Sequence, residues 1–508
     1  MRKCILLMVL ATGFFSASAQ KIANPRPYAN TISSDDLKKH MYIIAGDEME
    51  GRETATEGQR KAASYIENYF RELGLLAGSN GNFQMQFPVY QDSLVKSSIE
   101  VNGKRFQLHK DFAITLGSAH PSTLLASEVV LVGYGISDST RDDYKGFNTR
   151  GKVVLVLAGN PPTGNAPPRR IAPGAAVLEA ALKNGAAAVL MVQTNFPRSA
   201  TNPLGFQTVN AFKKTIYPNV YNISEDIAKE ILGEDYAAAN QAIKTGIAQP
   251  KIYSANLMLD FDKMLKKMES SNVLGYIEGT DKKDEYLVIT AHYDHLGKRG
   301  DSIIYYGADD DGSGTVSILE LAEAFVKAKQ AGKGPRRSII FMAVSGEEKG
   351  LWGSAYYGEH PSFPLAKTTA NLNIDMIGRI DPKRKVGDSM NYVYVVGDDK
   401  LSTDLRPISE AMNKKYTKLE LDYKYNDPND TERIYFRSDH YNFARRVVPI
   451  IFYFNGTHND YHRPTDTPDK INYDLMKKRA QLVFFTAWEM ANRNEMLKRD
   501  LTLEIPTR

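Results

Sequence analysis

The stretch YLVITAHYDH, residues 286–295, passes without a break from an apolar run into two histidines and an aspartate. The run 287–290 is aliphatic and β-branched, which is typical of a strand buried on both faces of a sheet. Four more segments in the second half of the chain carry acids or histidines after an apolar run: GADDDGSG (307–314), SGEEKG (345–350), NIDMIG (373–378) and DYHRPTD (460–466). We therefore expect carboxylates and imidazoles to collect where these strands end.

From Asn272 onward, strand candidates alternate with helix candidates. The strand candidates are residues 286–291, 338–344, 369–374, 392–396 and 447–454, and the helix candidates are residues 315–331, 401–416 and 473–492. This alternation predicts an α/β fold whose sheet is covered by helices on both faces. Ligands of such sheets bind at the carboxyl ends of the strands, which is where the acids and histidines are expected.

Residues from about 83 to 250 have a different character. Short Val/Leu runs at 129–132, 153–157 and 187–192 alternate with glycine- and proline-rich turns, and only residues 175–184 show a short helical pattern. We expect a separate, small, β-rich domain here. It contains few clustered acids or histidines, so the chemistry is expected elsewhere.

Composition excludes several classes of protein. The chain has 508 residues, is 42% hydrophobic and 24% charged, and carries a net charge of +4, as expected for a soluble globular protein of two or three domains. A net charge this small gives no strongly basic surface for nucleic acid.

The N-terminus has the pattern of a signal peptide, residues 1–19. Arg2 and Lys3 precede an apolar run at 5–15, and Ala17-Ser18-Ala19 offers a cleavage site. The run is short for a membrane span, so we expect export to a bacterial periplasm or the exterior, with no membrane attachment after cleavage. The only cysteine, Cys4, would be removed, leaving no thiol for a disulfide, a nucleophile or a zinc ligand.

The acidic and histidine-bearing segments suit a metal site better than they suit any other chemistry. His292 can bind a metal through one ring nitrogen while Asp294 accepts the N–H of the other. The three acids of GADDDGSG repel one another unless a cation is present, and the glutamate pair Glu347 and Glu348 can divide metal binding and proton transfer between them. Taken singly, each segment also fits a surface loop, an acidic turn or a solvated helix face.

Taken together, the segments predict hydrolysis assisted by two metal ions. Two Zn²⁺ ions would balance the charges of Asp309, Glu348 and Asp375 and of a bridging hydroxide, which is a nucleophile at neutral pH. His462 supplies a second imidazole, with His458 and Asp460 as rival ligands in the same loop. The sequence contains no H-E-x-x-H, Walker or G-x-S-x-G motif.

The order HxD, GADDDGSG, GEE, DM and DYHxPxD, over residues 272 to about 492, resembles the M28 family of zinc aminopeptidases. Residues 49–66 are similar to the family's opening helical region, and the segments 132–136, 142–156 and 180–192 resemble a protease-associated domain of the kind inserted into exported members. The resemblance implies a mixed, mostly parallel sheet sandwiched by helices. It also implies a peptidase domain in two parts, residues 20–95 and 256–508, with the insert at 96–255.

The resemblance assigns roles position by position. It implies that the metal ligands are His292, Asp309 as the bridging residue, Glu348, Asp375 and His462. It implies that Glu347 is the general base, that Asp294 supports His292, and that Asp310 follows Asp309 through a cis peptide bond. The segment Ser438-Asp439-His440 resembles one that lines the family's substrate pocket, and Arg379 lies near the same loops, so Asp439, His440 and Arg379 are candidate substrate-binding residues.

The function implied is that of an exported metallopeptidase with two Zn²⁺ ions per chain, which hydrolyses N-terminal residues from peptides. The alternatives are a glutaminyl cyclase-like or carboxypeptidase-type enzyme on the same scaffold, or a non-catalytic binding protein. The metal sites of cyclases of this fold resemble single-zinc sites and usually lack the HxD histidine. The presence of His292 therefore favours two ions. The expected partner is a peptide substrate, with a homodimer left open.

Overall fold

Apolar runs in the second half of the chain form the strands that the sequence predicts. In the computed structural model, residues 282–292, 337–344, 368–374, 392–396 and 450–454 are strands, and the last four are buried along their whole length. The predicted helices 315–331 and 473–492 are present as Gly314–Gln330 and Tyr473–Asn492. The predicted helix 401–416 is shorter, Leu405–Met412, and is followed by the π-helical turn Asn413–Thr417.

The structure describes residues 22–139, 141–159, 173–200, 202–211, 214–246, 250–300 and 302–503. The predicted signal peptide and Cys4 lie outside these residues. Within them, no helix combines the length and the apolar character that crossing a membrane requires.

The strands of the described residues, in chain order, are β1 (Leu76–Ala77), β2 (Gln84–Val101), β3 (Lys104–Phe106), β4 (Phe112–Ile114), β5 (Ser122–Leu131), β6 (Val153–Leu157), β7 (Ala188–Val192), β8 (Leu204–Thr208), β9 (Asn219–Ile223), β10 (Lys251–Ile277), β11 (Lys282–His292), β12 (Lys298–Arg299), β13 (Ile303–Ile304), β14 (Arg337–Val344), β15 (Thr368–Ile374), β16 (Tyr392–Val396), β17 (Glu420–Asp422) and β18 (Ile450–Phe454). The α-helices are α1 (Arg26–Ala29), α2 (Ser34–Ile44), α3 (Glu57–Glu72), α4 (Pro173–Lys183), α5 (Glu225–Leu232), α6 (Tyr236–Lys244), α7 (Gly314–Gln330), α8 (Trp352–Glu359), α9 (Leu405–Met412), α10 (His440–Ala444) and α11 (Tyr473–Asn492).

The chain divides into two units. Unit 1 contains the described residues up to Phe87 and from Ser270 onward, and unit 2 is Pro88–Glu269. The sequence-based boundaries of the insert, 96 and 255, both fall inside unit 2. The chain passes between the units within the long strands β2 and β10.

Unit 1 is built on a mixed, mostly parallel sheet with the strand order β17-β16-β18-β15-β11-β14-β10. The four central strands β18, β15, β11 and β14 are mutually parallel, whereas β16 and β10 run antiparallel to their inner neighbours. Because parallel strands need crossover connections, helices cover both faces. A large core with α2, α3, α7 and α11 lies on one face, and a second core that includes residues of α8 and α10 lies on the other. The predicted fold class is confirmed.

Unit 2 has its own parallel sheet and its own cores. Strands β5, β6, β7 and β9 are parallel, and β10 and β4 flank them antiparallel. Val177, Ala180 and Ala181 of α4 pack on one face, and Ile227 and Ile231 of α5 belong to the core on the other. Unit 2 therefore has more residues in strands than in helices, and its helices cover both faces of the strands.

Candidate metal centre

The carboxyl ends of the four central strands of unit 1 bring the acidic and histidine-bearing segments together. Strand β11 ends at His292, β14 leads into Glu347 and Glu348, and β15 leads into Asp375. Strand β18 ends at Phe454 and leads into the loop that carries His462. Parallel strands end at the same edge of the sheet, so side chains from distant segments converge there.

A first group of donors surrounds His292. Its Nε2 atom lies 3.2 Å from Oδ1 of Asp310 and 3.7 Å from Oδ1 of Asp375. Oε2 of Glu347 lies 3.9 Å from the same nitrogen. His292, Asp310 and Asp375 are all buried and offer one nitrogen and two oxygens within binding distance of a single ion.

A second group surrounds Glu348. Its Oε2 lies 3.0 Å from Nε2 of His462, which is 3.1 Å from Oδ2 of Asp310. Its Oε1 lies 2.8 Å from Nδ1 of His295, which is 3.8 Å from the same Asp310 oxygen. Asp310 therefore contributes one oxygen to each group and joins them.

The three adjacent acids of GADDDGSG point in three directions. Asp310 enters both donor groups, whereas Asp309 accepts the backbone N–H of Gly378 at 2.6 Å and lies 3.2 Å from Nε2 of His458. Asp311 accepts the backbone N–H groups of Gly314 and Met376. Asp310, and not the expected bridging residue Asp309, therefore lies in both donor groups, and the cis peptide bond is Asp310–Asp311.

The turn that carries these acids explains the one-residue difference. Gly307 has φ +56°, and residues Ala308–Ser313 form a π-helical turn. Both backbone N–H groups of Asp309 and Asp310 donate to Oδ2 of Asp466, a residue of the DYHRPTD segment that was not assigned a role. The turn and this distant anchor together set which carboxylate enters the donor groups.

The donor set fits metal ions. His292 Nε2, His295 Nδ1, Asp310 Oδ2 and Glu348 Oε1 are buried and have no hydrogen-bond partner among the residues that the structure describes. Buried polar atoms left without a partner are costly, and a cation at each group would satisfy them. Imidazole nitrogens and carboxylate oxygens in groups of three or four are ligands that Zn²⁺ accepts.

Comparison with known proteins agrees with this geometry. Residues 272–487 match the model of peptidase family M28. The match covers less than half of the chain, and we call the matched residues the M28 domain. The M28 domain includes every donor of both groups, and all of them lie in unit 1.

The relatives of the M28 domain are named as peptidases. The chain is 30% identical over 239 residues to a probable leucine aminopeptidase of Arthroderma otae, covering 46% of this chain and 61% of that protein. It is 26% identical over 277 residues to a probable zinc metalloprotease of Pyricularia oryzae, covering 47% of this chain and 53% of that protein. The chain thus spans less than two thirds of these relatives. The aminopeptidase of Aneurinibacillus sp. strain AM-1 shares the fold, with a TM-score of 0.54, 18% identity and coverage of 95% of this chain and 100% of that one.

In the M28 domain, Asp294 supports the site through different atoms from those expected. The closest acceptor for Nδ1 of His292 is the backbone carbonyl oxygen of Asp294 at 3.0 Å, whereas the carboxylate is 3.8 Å away. The carboxylate instead accepts the backbone N–H of Glu347 at 3.2 Å and the hydroxyl of Thr54 at 2.7 Å. Asp294 therefore orients the histidine and the glutamate loop together.

A buried arginine ties the site loops to the N-terminal segment. Arg52 is wholly buried, and its guanidinium donates to the carbonyl oxygens of Ile44, Tyr293, Tyr306 and Gly307. These bonds hold the loops that begin the HxD and GADDDGSG segments. The sequence shows Arg52 within a stretch similar to the family, yet a single arginine has no local pattern that would identify this role.

The neighbouring glutamates have opposite electrostatics. Burial raises the pKa of Glu347 well above its usual value, and nearby Glu348 and Asp375 add to the effect while His292 opposes it. Burial also acts to raise the pKa of Glu348, but the close approach of His295 and His462 outweighs burial and lowers it. Environments that separate the pKa values of two acids are typical of a divided proton-transfer and ligand role.

The three candidate substrate-binding residues do not line the cavity beside the donor groups. Arg379 donates to Asp460 at 3.1 Å and lies 3.8 Å from Asp466, so it is held in ion pairs. His440 is buried, stacks on Phe452, and burial lowers its pKa to about 3. Asp439 is wholly buried, and burial raises its pKa to about 7.

Arg437 borders the cavity beside the donor groups. The cavity beside the donor groups is lined by Asp310, Glu347, Asp375, Met376, Ile434, Arg437, Phe452, Phe454, Thr457 and Tyr461. Arg437 donates to the Tyr461 hydroxyl at 3.1 Å and forms no salt bridge with any residue in the described ranges. The cavity therefore combines the carboxylates of the donor groups and an apolar wall with Arg437, which has no salt bridge within the described residues.

Proposed function

We propose that the M28 domain is a zinc-dependent aminopeptidase that binds two ions, one in each donor group. The observation that carries the proposal is the pair of histidine–carboxylate groups joined by Asp310, with Glu347 beside them. His292, Asp310 and Asp375 would hold one ion, and Asp310, Glu348 and His462 the other. The relatives named leucine aminopeptidase and zinc metalloprotease support this activity.

When bound, zinc supplies Lewis acidity toward the scissile carbonyl and lowers the pKa of a water molecule. Glu347 accepts the proton of the attacking water and passes it to the leaving amine as the carbon–nitrogen bond breaks. The carboxylates of Glu347 and Asp375, which both line the cavity, offer acceptors for the free α-ammonium group of a peptide.

A carboxypeptidase-type activity is the second candidate, and Arg437 is the observation that favours it. A guanidinium binds a carboxylate through two parallel hydrogen bonds, and Arg437 has no acidic partner within the described chain. A peptide's terminal carboxylate is one group that would satisfy it. A cyclase with a single ion is less well supported, because His292 completes the first donor group beside the one around Glu348.

We also propose that the protein is exported and that unit 2 is a protease-associated insert. The signal-peptide pattern of residues 1–19 supports export, and the similarity of residues 132–136 and 180–192 to a protease-associated domain supports the second proposal.

One peptide panel tests the activity. Purified protein is analysed for zinc and then assayed on matched short peptides with free ends, with an acetylated N-terminus and with an amidated C-terminus. An aminopeptidase loses activity on the acetylated peptides alone, and a carboxypeptidase on the amidated peptides alone. Absence of zinc-dependent hydrolysis on every peptide would reject both candidates and favour a binding protein.

A further inference from the structure

We propose that His295 is an additional protein ligand of the ion held beside Glu348. That ion would then be enclosed by four protein side chains, whereas the ion beside His292 would keep an open position toward the cavity. The inference rests on the proposed two-ion function, and it assigns a ligand that neither the sequence pattern nor the relatives' names identify.

Two imidazoles flank the same pair of carboxylates in the second group. His462 Nε2 lies 3.1 Å from Asp310 and 3.0 Å from Glu348, and His295 Nδ1 lies 3.8 Å and 2.8 Å from the same two residues. The two rings are steeply inclined to each other, at 69°, with centroids 5.9 Å apart. The two nitrogens therefore approach the carboxylates from different directions.

These separations fit a tetrahedral site. Bonds of about 2.0–2.1 Å from zinc to nitrogen and oxygen place tetrahedral ligands about 3.3 Å apart. The four distances, from 2.8 to 3.8 Å, lie around this value, with His295 facing Oε1 of Glu348 and His462 facing Oε2. An ion at the centre of His295, Asp310, Glu348 and His462 would thus be closed off by protein, as structural zinc sites are.

Among the residues that the structure describes, the first group has no comparable fourth ligand. Beyond His292, Asp310 and Asp375, the nearest acidic group is Glu347, whose oxygen is 3.9 Å from Nε2 of His292 and which lines the cavity. A site with three protein ligands and an open position is the arrangement of catalytic zinc. The two ions would consequently differ in how firmly they are held.

The backbone holds His295 in this position. The residue is wholly buried, and its N–H donates to the carbonyl oxygen of Arg52 at 3.2 Å. Gly307 passes so close that a β-carbon there would lie 2.5 Å from Cγ of His295, so only glycine leaves room for the imidazole. His295 thus occupies a tightly bounded space that directs its ring at Glu348.

The alternative role for His295 is to orient Glu348 through a hydrogen bond from Nδ1, without touching the ion. Two variants separate the roles. His295→Asn keeps an N–H donor near the position of Nδ1 but offers no good zinc ligand, and His295→Ala removes both functions. His40→Gln is the matched control, because His40 is also buried, bonded to Tyr65 and 3.7 Å from the carboxylate of Glu320, away from the donor groups.

Zinc titration of the metal-depleted protein measures the affinity of each ion. We expect wild type and His40→Gln to bind two ions. Both His295 variants should keep one ion at wild-type affinity and bind the other at least about 100-fold more weakly. This loss is at or beyond the upper end of the loss in metal affinity that removal of a supporting residue causes. Wild-type affinity for both ions in His295→Asn would overturn the inference and leave the two-ion function intact. Failure of wild type to bind two ions would reject the proposed function itself.

Cobalt-substituted wild-type protein tests the ligand without any variant. Each histidine bound to Co²⁺ carries an exchangeable N–H on its other ring nitrogen, whose proton resonance is strongly shifted by the paramagnetic ion. Ligation by His292, His462 and His295 gives three such resonances, and a supporting role for His295 gives two. Two resonances would therefore overturn the inference even if the variants fail to fold.

Discussion

Units 1 and 2 each contain four parallel strands flanked by antiparallel strands, yet among the described residues only unit 1 gathers metal donors. Strand β14 of unit 1 and strand β6 of unit 2 are both buried along their whole length. In unit 1 the carboxyl ends of the strands carry His292, Asp375 and the glutamate pair. In unit 2 the cavity of about 460 Å³ at the carboxyl ends of β6 and β7 is lined by apolar and neutral polar residues, among them Gln193 and Asn222, and within the described chain it has no ionisable group.

The difference shows that the sheet supplies the position and the loops supply the chemistry. Fully buried apolar strands occur in both units, so their patterns do not distinguish a site from a scaffold. Short polar segments placed after the strands of unit 1 create a cluster that is costly without cations. Substitutions in unit 1 should therefore change zinc binding or turnover, whereas substitutions in unit 2 should change only the free energy of unfolding.

The largest effect is expected from Asp310→Ala. Removal of the carboxylate shared by both donor groups should abolish the binding of both ions and reduce peptide hydrolysis to the background rate, since one oxygen serves each group. The matched variant Asp309→Ala should keep both ions while losing roughly 1–3 kcal/mol of stability, because the N–H of Gly378 loses its buried acceptor. Zinc analysis and denaturant unfolding of both variants test this contrast. Loss of both ions in Asp309→Ala with retention in Asp310→Ala would restore the original assignment.

Glu347→Gln should have the next largest effect. The amide cannot accept the proton of the attacking water, so turnover should fall by about 10²–10⁴-fold while two ions remain bound. Glu348→Gln, one residue away, should instead weaken one ion, because Glu348 contacts His295 and His462. Measuring turnover and zinc content in parallel separates the two roles. Full activity of Glu347→Gln would remove it from the mechanism.

The smallest effects come from a matched pair of packing variants. Val154 in β6 and Val288 in β11 are both wholly buried, and replacing either with alanine should reduce the free energy of unfolding by about 2 kcal/mol. Only Val288→Ala should also alter zinc affinity, because Val288 precedes His292 on the same strand. Unfolding curves and zinc titrations provide the measurements. A change of zinc affinity in Val154→Ala would contradict the separation of scaffold and site.

The errors of the sequence-based prediction share one cause. Asp309 and Asp310 are adjacent and chemically identical, and the partners that distinguish them, Gly378 and Asp466, lie far away in the chain. Arg379 follows one site segment and Arg437 precedes another. Arg379 forms an ion pair with the distant Asp460, whereas Arg437 borders the cavity. Such choices depend on contacts between remote residues, which no local spacing records.

The sequence by itself determined the α/β fold of unit 1, the strands whose ends carry acids and histidines, and the segments that supply the donors. It could do so because strand burial and strand ends are local properties, visible in runs of apolar residues and the polar residues that follow them. Only the tertiary structure decided that Asp310 joins the two groups, that His295 lies against Glu348, and that Arg437 borders the cavity. Those facts depend on turns and anchors from several segments meeting within a few ångströms, which the folded sheet alone brings about.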